Sequence, residues 1–179
     1  MHKITGFIFY RILGWRLKGK ISKFVKKCVV IVAPHTSSFD FFMGLMVRNL
    51  LQVPIDWIGK KELFKPPFGW YFKWTGGNPL DRAGKKQKVD SIASMFSNKE
   101  TFRLALSPEG TREKTLTWKT GFYYIALKAE VPLIMVSFDY GTKTVKVSEP
   151  FYPEGNFEKD FGVIKKFYAG VLGKNPHKF

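Results

Sequence analysis

Two short polar stretches of this 179-residue chain carry residue types that move protons and grip anions. The first, APHTSSFD, sets His35 five residues before Asp40, and His35 is one of three histidines. A histidine of ordinary pKa, near ~6.5, is largely neutral at pH 7 and can take a proton from an alcohol. A carboxylate on its other ring nitrogen would fix the tautomer and stabilise the imidazolium that forms. The four intervening residues leave room for the chain to turn so that Asp40 reaches back to His35. The same stretch also reads as a helix start, with Ser37, Ser38 or Asp40 stabilising the terminus and His35 incidental. No G-x-S-x-G elbow supplies a nucleophile, and Cys28 precedes the loop by most of a strand. If His35 is a base, the nucleophile it activates belongs to the substrate.

The second stretch is PEGTR, Pro108 to Arg112. Gly110 permits a tight turn and close approach of backbone to a ligand. Arg112 has the planar donor fork that suits phosphate or carboxylate. Glu109 can orient a substrate hydroxyl or brace the loop. An ordinary glycine turn with a surface ion pair is the alternative.

Each stretch follows an apolar run that reads as a strand, CVVIVA (28–33) before the first and TFRLAL (101–106) before the second. Ligands of open α/β sheets bind at that carboxyl edge, so both loops can meet on one rim. CVVIVA is continuous and β-branched, as in a strand covered on both faces. A helix is expected from Ser37 or Ser38 to about Leu51, ended by Pro54. IDWIG is a second strand, and Gly76 and Gly77 mark a turn. Residues 83–97 form a helix with Val89, Ile92, Ala93 and Phe96 on one face. Further along, 121–130 is helical, VPLIMVSFD and TVKVSE are strands, and 157–172 is a closing amphipathic helix. WRLKGKI (15–21) alternates like a half-exposed strand, and 3–13 reads as a short interfacial or core-docked helix. The fold class is α/β: one domain over 1–179 with a largely parallel central sheet flanked by helices.

Composition bounds the partners. Thirty Lys and Arg against 14 Asp and Glu give a net charge of +16, which implies an anionic partner, nucleic acid or an acidic membrane surface. The aromatic share of 17% suits either rings at headgroup depth or rings stacked on bases. One cysteine allows no internal disulfide and no cysteine-rich metal site. No apolar run approaches the ~20 residues of a membrane span. Arg11, Arg16 and Lys18 interrupt the first apolar stretch too early for a signal peptide. A cytoplasmic location is expected.

The ordered pair HTSSFD and PEGTR resembles the glycerolipid acyltransferase family, the 1-acylglycerol-3-phosphate acyltransferases and their relatives, from about Val29 to Val136. The family's first block is His-x4-Asp, matched by His35 and Asp40, and its third is matched by Pro108, Glu109, Gly110, Thr111 and Arg112. The second ends in an arginine, for which GGNPLDR offers Arg82, and the fourth begins Val-Pro, matched by Val131 and Pro132. The resemblance implies a glycerol-phosphate-acyltransferase-like fold in which His35, aided by Asp40, deprotonates a hydroxyl of a lysophospholipid acceptor. That oxygen would attack the thioester of acyl-CoA or acyl carrier protein, without a covalent enzyme intermediate, metal or cofactor. Arg82 and Arg112 would hold the acceptor's phosphate, and Glu109, Gly110 and Thr111 would shape its site. Lys60 and Lys61 stand where relatives often carry a lysine near the acceptor, and also read as a solvated basic turn. Pro34, Ser107 and Met135 depart from the usual Asn, Phe and Pro. These departures remove no proposed catalytic atom but reshape the pocket and leave the acceptor open.

On this reading the anionic partner is a membrane surface and not nucleic acid, and the protein is peripherally attached. Residues 1–16, with Phe7, Phe9, Tyr10 and Trp15 among Arg11 and Arg16, form a candidate in-plane anchor. FKPPFGWYFKW, with Phe64, Phe68, Trp70, Tyr71, Phe72 and Trp74, is a second, unless its rings simply roof a small core. O-acylation of another hydroxylated lipid, such as an amino-acid lipid, and a non-catalytic membrane-binding role are the competing readings.

Overall fold

The computed structural model describes residues 2–80 and 85–179. Among these, seven strands form one sheet: β1 (Arg16–Lys18), β2 (Lys27–Ala33), β3 (Asp56–Lys60), β4 (Gly77–Leu80), β5 (Phe102–Leu106), β6 (Leu133–Asp139) and β7 (Thr144–Val147). Their spatial order is β1-β7-β6-β2-β5-β3-β4. From β6 across to β4 every pair is parallel, and β7 is antiparallel to β6. The expected largely parallel α/β sheet is therefore present.

β2 lies at the centre because its side chains are apolar on both faces. Val29, Ile31 and Ala33 enter one core and Cys28 and Val30 the other. The first core is closed by α4 (Lys85–Ser97), α5 (Gly121–Lys128) and α6 (Phe157–Tyr168), through Ile92, Phe96, Phe122, Ile125 and Ile164. The second is closed by α2 (Phe39–Leu51), through Met43 and Val47, and by the N-terminal helix. That helix, α1 (His2–Gly6), continues as one π-helical stretch, Phe7–Ile12. Phe9 is fully buried and pins it to the core, while Ile4, Phe7, Tyr10 and Ile12 stay exposed. Truncating a ring buried like Phe9 typically costs about 3–5 kcal/mol. The helix is thus both core-docked and exposed on its outer side.

Two expectations are revised. Gly76 closes a turn but Gly77 does not belong to it, because Gly77–Leu80 pairs with β3 as an edge strand. An edge strand tolerates Pro79, whose missing N–H needs no partner on the open side. Ser38 occupies the cap position of α2 but makes no side-chain capping bond, and Ser37 Oγ instead accepts from Phe39 N at 3.2 Å. Between β3 and β4 the chain forms a 3-10 turn, Lys61–Phe64, and the short α3 (Gly69–Trp74). Phe72 of α3 packs edge-on against Trp57 and Phe64, and Phe41 edge-on against Trp57, while Phe68, Trp70 and Trp74 point outward, each about two-thirds exposed. The aromatic run therefore splits between a small core and an outer face.

Candidate active site

The parallel strands β2, β5, β3 and the neighbouring β6 all end on one rim. The chain leaves β2 at Ala33, passes a cis Ala33–Pro34 peptide and reaches His35. The segment after β5 carries Glu109 to the same place. The His35 backbone N–H donates to both Glu109 carboxylate oxygens, at 2.9 and 3.1 Å. Glu109 is buried. Its carboxylate thereby ties the PEGTR loop to the histidine loop.

Asp40 sits buried in the first turn of α2 and points back along the chain. Its Oδ2 accepts from the N–H groups of Thr36 and Ser37, both at 2.9 Å. Its Oδ1 accepts from the Tyr140 hydroxyl at 2.6 Å. His35 Nδ1 lies 3.4 Å from the same Oδ2. This is long for a finished hydrogen bond, and catalytic pairs commonly tighten from such spacing once substrate is engaged. The ring nitrogen facing the carboxylate is Nδ1, so Nε2 is the atom available to a substrate. Asp40 therefore organises the loop before the helix and faces the imidazole, rather than acting as a plain helix cap.

The two carboxylates are driven apart in proton affinity. Burial pushes Asp40 upward, but hydrogen bonds from His35, Tyr140 and Ser37 outweigh it and hold the group below its ordinary range. Asp40 stays ionised. Glu109 moves the other way: burial raises it, opposed by the His35 N–H and assisted by the nearby Asp40 charge. Burial, followed by the bond to Asp40, lifts the Tyr140 phenol far above its usual value, so it remains a donor. Burial also pushes the Cys28 thiol up to about 12. Such a thiol is not a nucleophile at neutral pH.

From His35 and Asp40 an apolar cavity of about 230 Å³ runs between α2 and the sheet. Val30, Gly44, Leu45, Val47, Leu51 and Phe138 are among its walls, and Arg48 and Asp56 line it as well. Arg48 is occupied, donating to the Thr75 carbonyl. A broader groove, about 980 Å³, passes Glu109 and Thr111 on the other side of Ser107 and continues along α5. Ser107 lines both spaces.

The remaining site residues lie further out. Gly110 has φ +64, a left-handed conformation that favours glycine. Thr111 and Arg112 are exposed, and Thr111 Oγ1 accepts from Glu113 N at 3.2 Å. Lys60 and Lys61 are exposed at the end of β3. Arg82 lies outside the described residues. The structure thus brings His35, Asp40 and Glu109 into one buried corner and leaves Thr111, Arg112, Lys60 and Lys61 on its outside. Tyr140 was missed. Its only signal is position, directly after the apolar strand VPLIMVSFD, where the rim rule would have directed attention. Among the described residues no cluster of three His, Cys, Asp or Glu side chains could hold a metal ion.

A base set beside an ionised carboxylate, at the mouth of an apolar cavity, is suited to removing a proton from a hydroxyl near a hydrocarbon chain. The chain belongs to the acyltransferase family: the family model described as Acyltransferase matches residues 16–139. Among curated proteins it is similar to the 1-acyl-sn-glycerol-3-phosphate acyltransferase of Salmonella typhimurium, 32% identical over 113 residues, which cover 60% of this chain and 45% of that protein. The Saccharomyces cerevisiae protein of the same name is 26% identical over 184 residues, covering 88% and 59%. That of Cocos nucifera is 29% identical over 137 residues, covering 73% and 44%. The chain spans about half the length of the curated relatives it matches. No solved structure matches it.

Proposed function

We propose that this protein moves a fatty acyl group from an acyl thioester to a hydroxyl of a lysophospholipid, 1-acylglycerol-3-phosphate foremost, to give phosphatidic acid. The observation that carries this reading is the His35–Asp40 pair at the mouth of the apolar cavity. His35 Nε2 removes the acceptor's hydroxyl proton as its oxygen attacks the thioester carbonyl. Asp40 stabilises the imidazolium. When the tetrahedral intermediate collapses, the C–S bond breaks and the departing thiolate takes the proton from His35. The names of the relatives, 1-acyl-sn-glycerol-3-phosphate acyltransferases, support the acceptor. The cavity suits an acyl chain, and Arg112, with Lys60 and Lys61, offers cations for a phosphate at the rim. The donor is acyl-CoA or acyl carrier protein.

The reading includes peripheral attachment to an anionic membrane on the cytoplasmic side. Among the described residues no helix is long and apolar enough to cross a membrane. Exposed Ile4, Phe7 and Ile12 on the N-terminal helix and Phe68, Trp70 and Trp74 around α3 offer apolar insertion points. The charge of +16 supplies attraction to acidic headgroups.

The test is mass-spectrometric detection of product from purified protein given lysophosphatidic acid, other lysolipids and hydroxylated aminolipids. Palmitoyl-CoA and palmitoyl carrier protein serve as separate donors, with His35→Ala in parallel. The wild type is expected to make phosphatidic acid, and His35→Ala to lower the rate by about 10²–10⁴-fold. A different acylated lipid that still depends on His35 would replace the acceptor. Absence of any His35-dependent product from folded, vesicle-bound protein would overturn catalysis in favour of lipid binding.

A further inference from the structure

The segment that follows α6 lies beyond the region matched by the family model, yet it returns to the buried corner. Leu172 holds the end of β6: its carbonyl accepts from Tyr140 N at 2.8 Å, and its N–H donates to Asp139 Oδ1 at 3.3 Å. Gly173 packs so closely that an added Cβ would sit 2.8 Å from Thr36 Oγ1 and 3.3 Å from Pro34 Cβ. The Lys174 ammonium lies 4.1 Å over the Phe39 ring. Asn175 then makes two bonds to one residue: its N–H donates to Thr36 Oγ1 at 3.1 Å, and its Nδ2 to the Thr36 carbonyl at 2.8 Å. Further on, Lys178 pairs with Glu113 at 2.7 Å, beside the PEGTR turn.

Thr36 is buried and adjoins His35. Its own N–H is one of the donors to Asp40. Asn175 therefore grips the carbonyl and hydroxyl of the residue whose amide grips the catalytic carboxylate. The Leu172 carbonyl in turn holds the backbone N–H of Tyr140, whose hydroxyl also donates to Asp40. These bonds on Thr36 are local and directional, and a packing contact would not need a donor aimed at a carbonyl.

We propose that Asn175 is a positioning residue for acyl transfer, fixing through Thr36 the orientation of Asp40 and the imidazole of His35. The proposal rests on the reading of His35 as the base. Its mechanism is preorganisation: with the Thr36 carbonyl released, the 36–37 amides no longer hold Oδ2 opposite Nδ1, and the ring samples both tautomers. Misplacement of a catalytic group by an ångström or less is expected to lower kcat by about tenfold or more.

The experiment compares the wild-type chain with Asn175→Ala, Asn175→Asp and Lys178→Ala. It measures kcat and KM for donor and acceptor, together with ¹⁵N chemical shifts of the His35 imidazole, assigned by their loss in His35→Gln. Asn175→Asp keeps the shape of the side chain but turns the donor into an acceptor facing a carbonyl. It carries the test by itself should Asn175→Ala fail to fold. In both Asn175 variants kcat should fall about tenfold with KM values within about twofold, and the His35 shifts should move toward the average of the two tautomers. Lys178→Ala removes only the partly exposed pair with Glu113 and should leave both readouts in place. His35 shifts unchanged in folded Asn175 variants would overturn the proposal. So would an equal effect from Lys178→Ala, which would assign the role to the segment as a whole. Failure of the wild type to acylate any acceptor would instead remove the functional reading, while the imidazole shifts would still decide whether Asn175 orders the loop.

Discussion

The corner around His35 and the rim outside it are built on opposite plans. In the corner the carboxylates and Thr36 are held by directed hydrogen bonds: Asp40 by two amides and a phenol, Glu109 by the His35 amide, Thr36 by Asn175. On the rim, Arg112, Lys60, Lys61, Phe68, Trp70 and Trp74 are exposed, on short elements or turns. On the function proposed above, the difference assigns each task its place. Proton transfer needs fixed geometry and a low dielectric, which burial and redundant hydrogen bonds supply. Meeting a large anionic lipid surface needs reach and tolerance, which exposed charges and rings supply. Substitutions in the corner should therefore damage turnover steeply, and substitutions on the rim should change binding with little effect on chemistry.

The sharpest break is Asp40→Asn, which removes the charge facing the imidazole while keeping the side chain's size. kcat should fall by about 10²-fold or more, because the imidazolium loses its counter-charge and the tautomer its anchor. Stability near pH 7 should fall by about 1.5–3 kcal/mol, the scale of hydrogen bonds to a charged group. The sign with pH follows from the lowered Asp40 pKa. Its contribution is present above the ordinary aspartate value of ~3.9 and disappears as pH falls through the lower folded value. Thermal melting of wild type and variant should therefore converge in acid. A constant gap across that range would show that the carboxylate is not held as described.

The cavity opens from the corner, and Gly44 on its wall tests what it accepts. A Cβ placed there meets nothing within 4 Å. Gly44→Leu should thus fold normally and shorten the available space, shifting preference toward shorter acyl donors by about 10–100-fold. Chain-length profiles of kcat/KM measure this, and an unchanged profile would move the acyl chain to the broader groove beside α5.

On the rim, the triple substitution of Phe68, Trp70 and Trp74 by Ala should weaken sedimentation with anionic vesicles by about tenfold, since each ring loses part of a ~1.5–3 kcal/mol burial term. Turnover of a dispersed short-chain substrate should stay within about twofold, and stability within ~0.5 kcal/mol per site. A collapse of turnover on the dispersed substrate would mean that the rings belong to the core. The smallest effect belongs to Tyr140→Phe. It removes one of the donors to Asp40, and kcat should fall about fivefold, close to 1 kcal/mol.

Much of this was legible in the chain because its signals are local. A β-branched run such as CVVIVA has one low-energy use, a strand covered on both faces, and the helix over Val89, Ile92 and Phe96 follows from side-chain period. The two motif loops are legible for the same reason, since each directly follows such a strand. β4 was not legible, because Gly and Pro in GNPL signal a turn and only pairing with β3 makes it a strand. The direction of β7 was equally hidden, since antiparallel pairing with β6 depends on how the turn at 140–143 folds.

The sequence by itself determined the α/β class and picked out His35 and Asp40 as a pair, because residue type, periodicity and spacing are local properties. Tertiary structure decided how the pair is held. Glu109 became a brace on the His35 amide, Tyr140 a donor to Asp40 across 100 positions of chain, and Asn175 a clamp on Thr36 across 139. A hydrogen bond is specified by the three-dimensional position and direction of two groups, and pairs so far apart along the chain acquire that relation only when the sheet brings their strands to one edge.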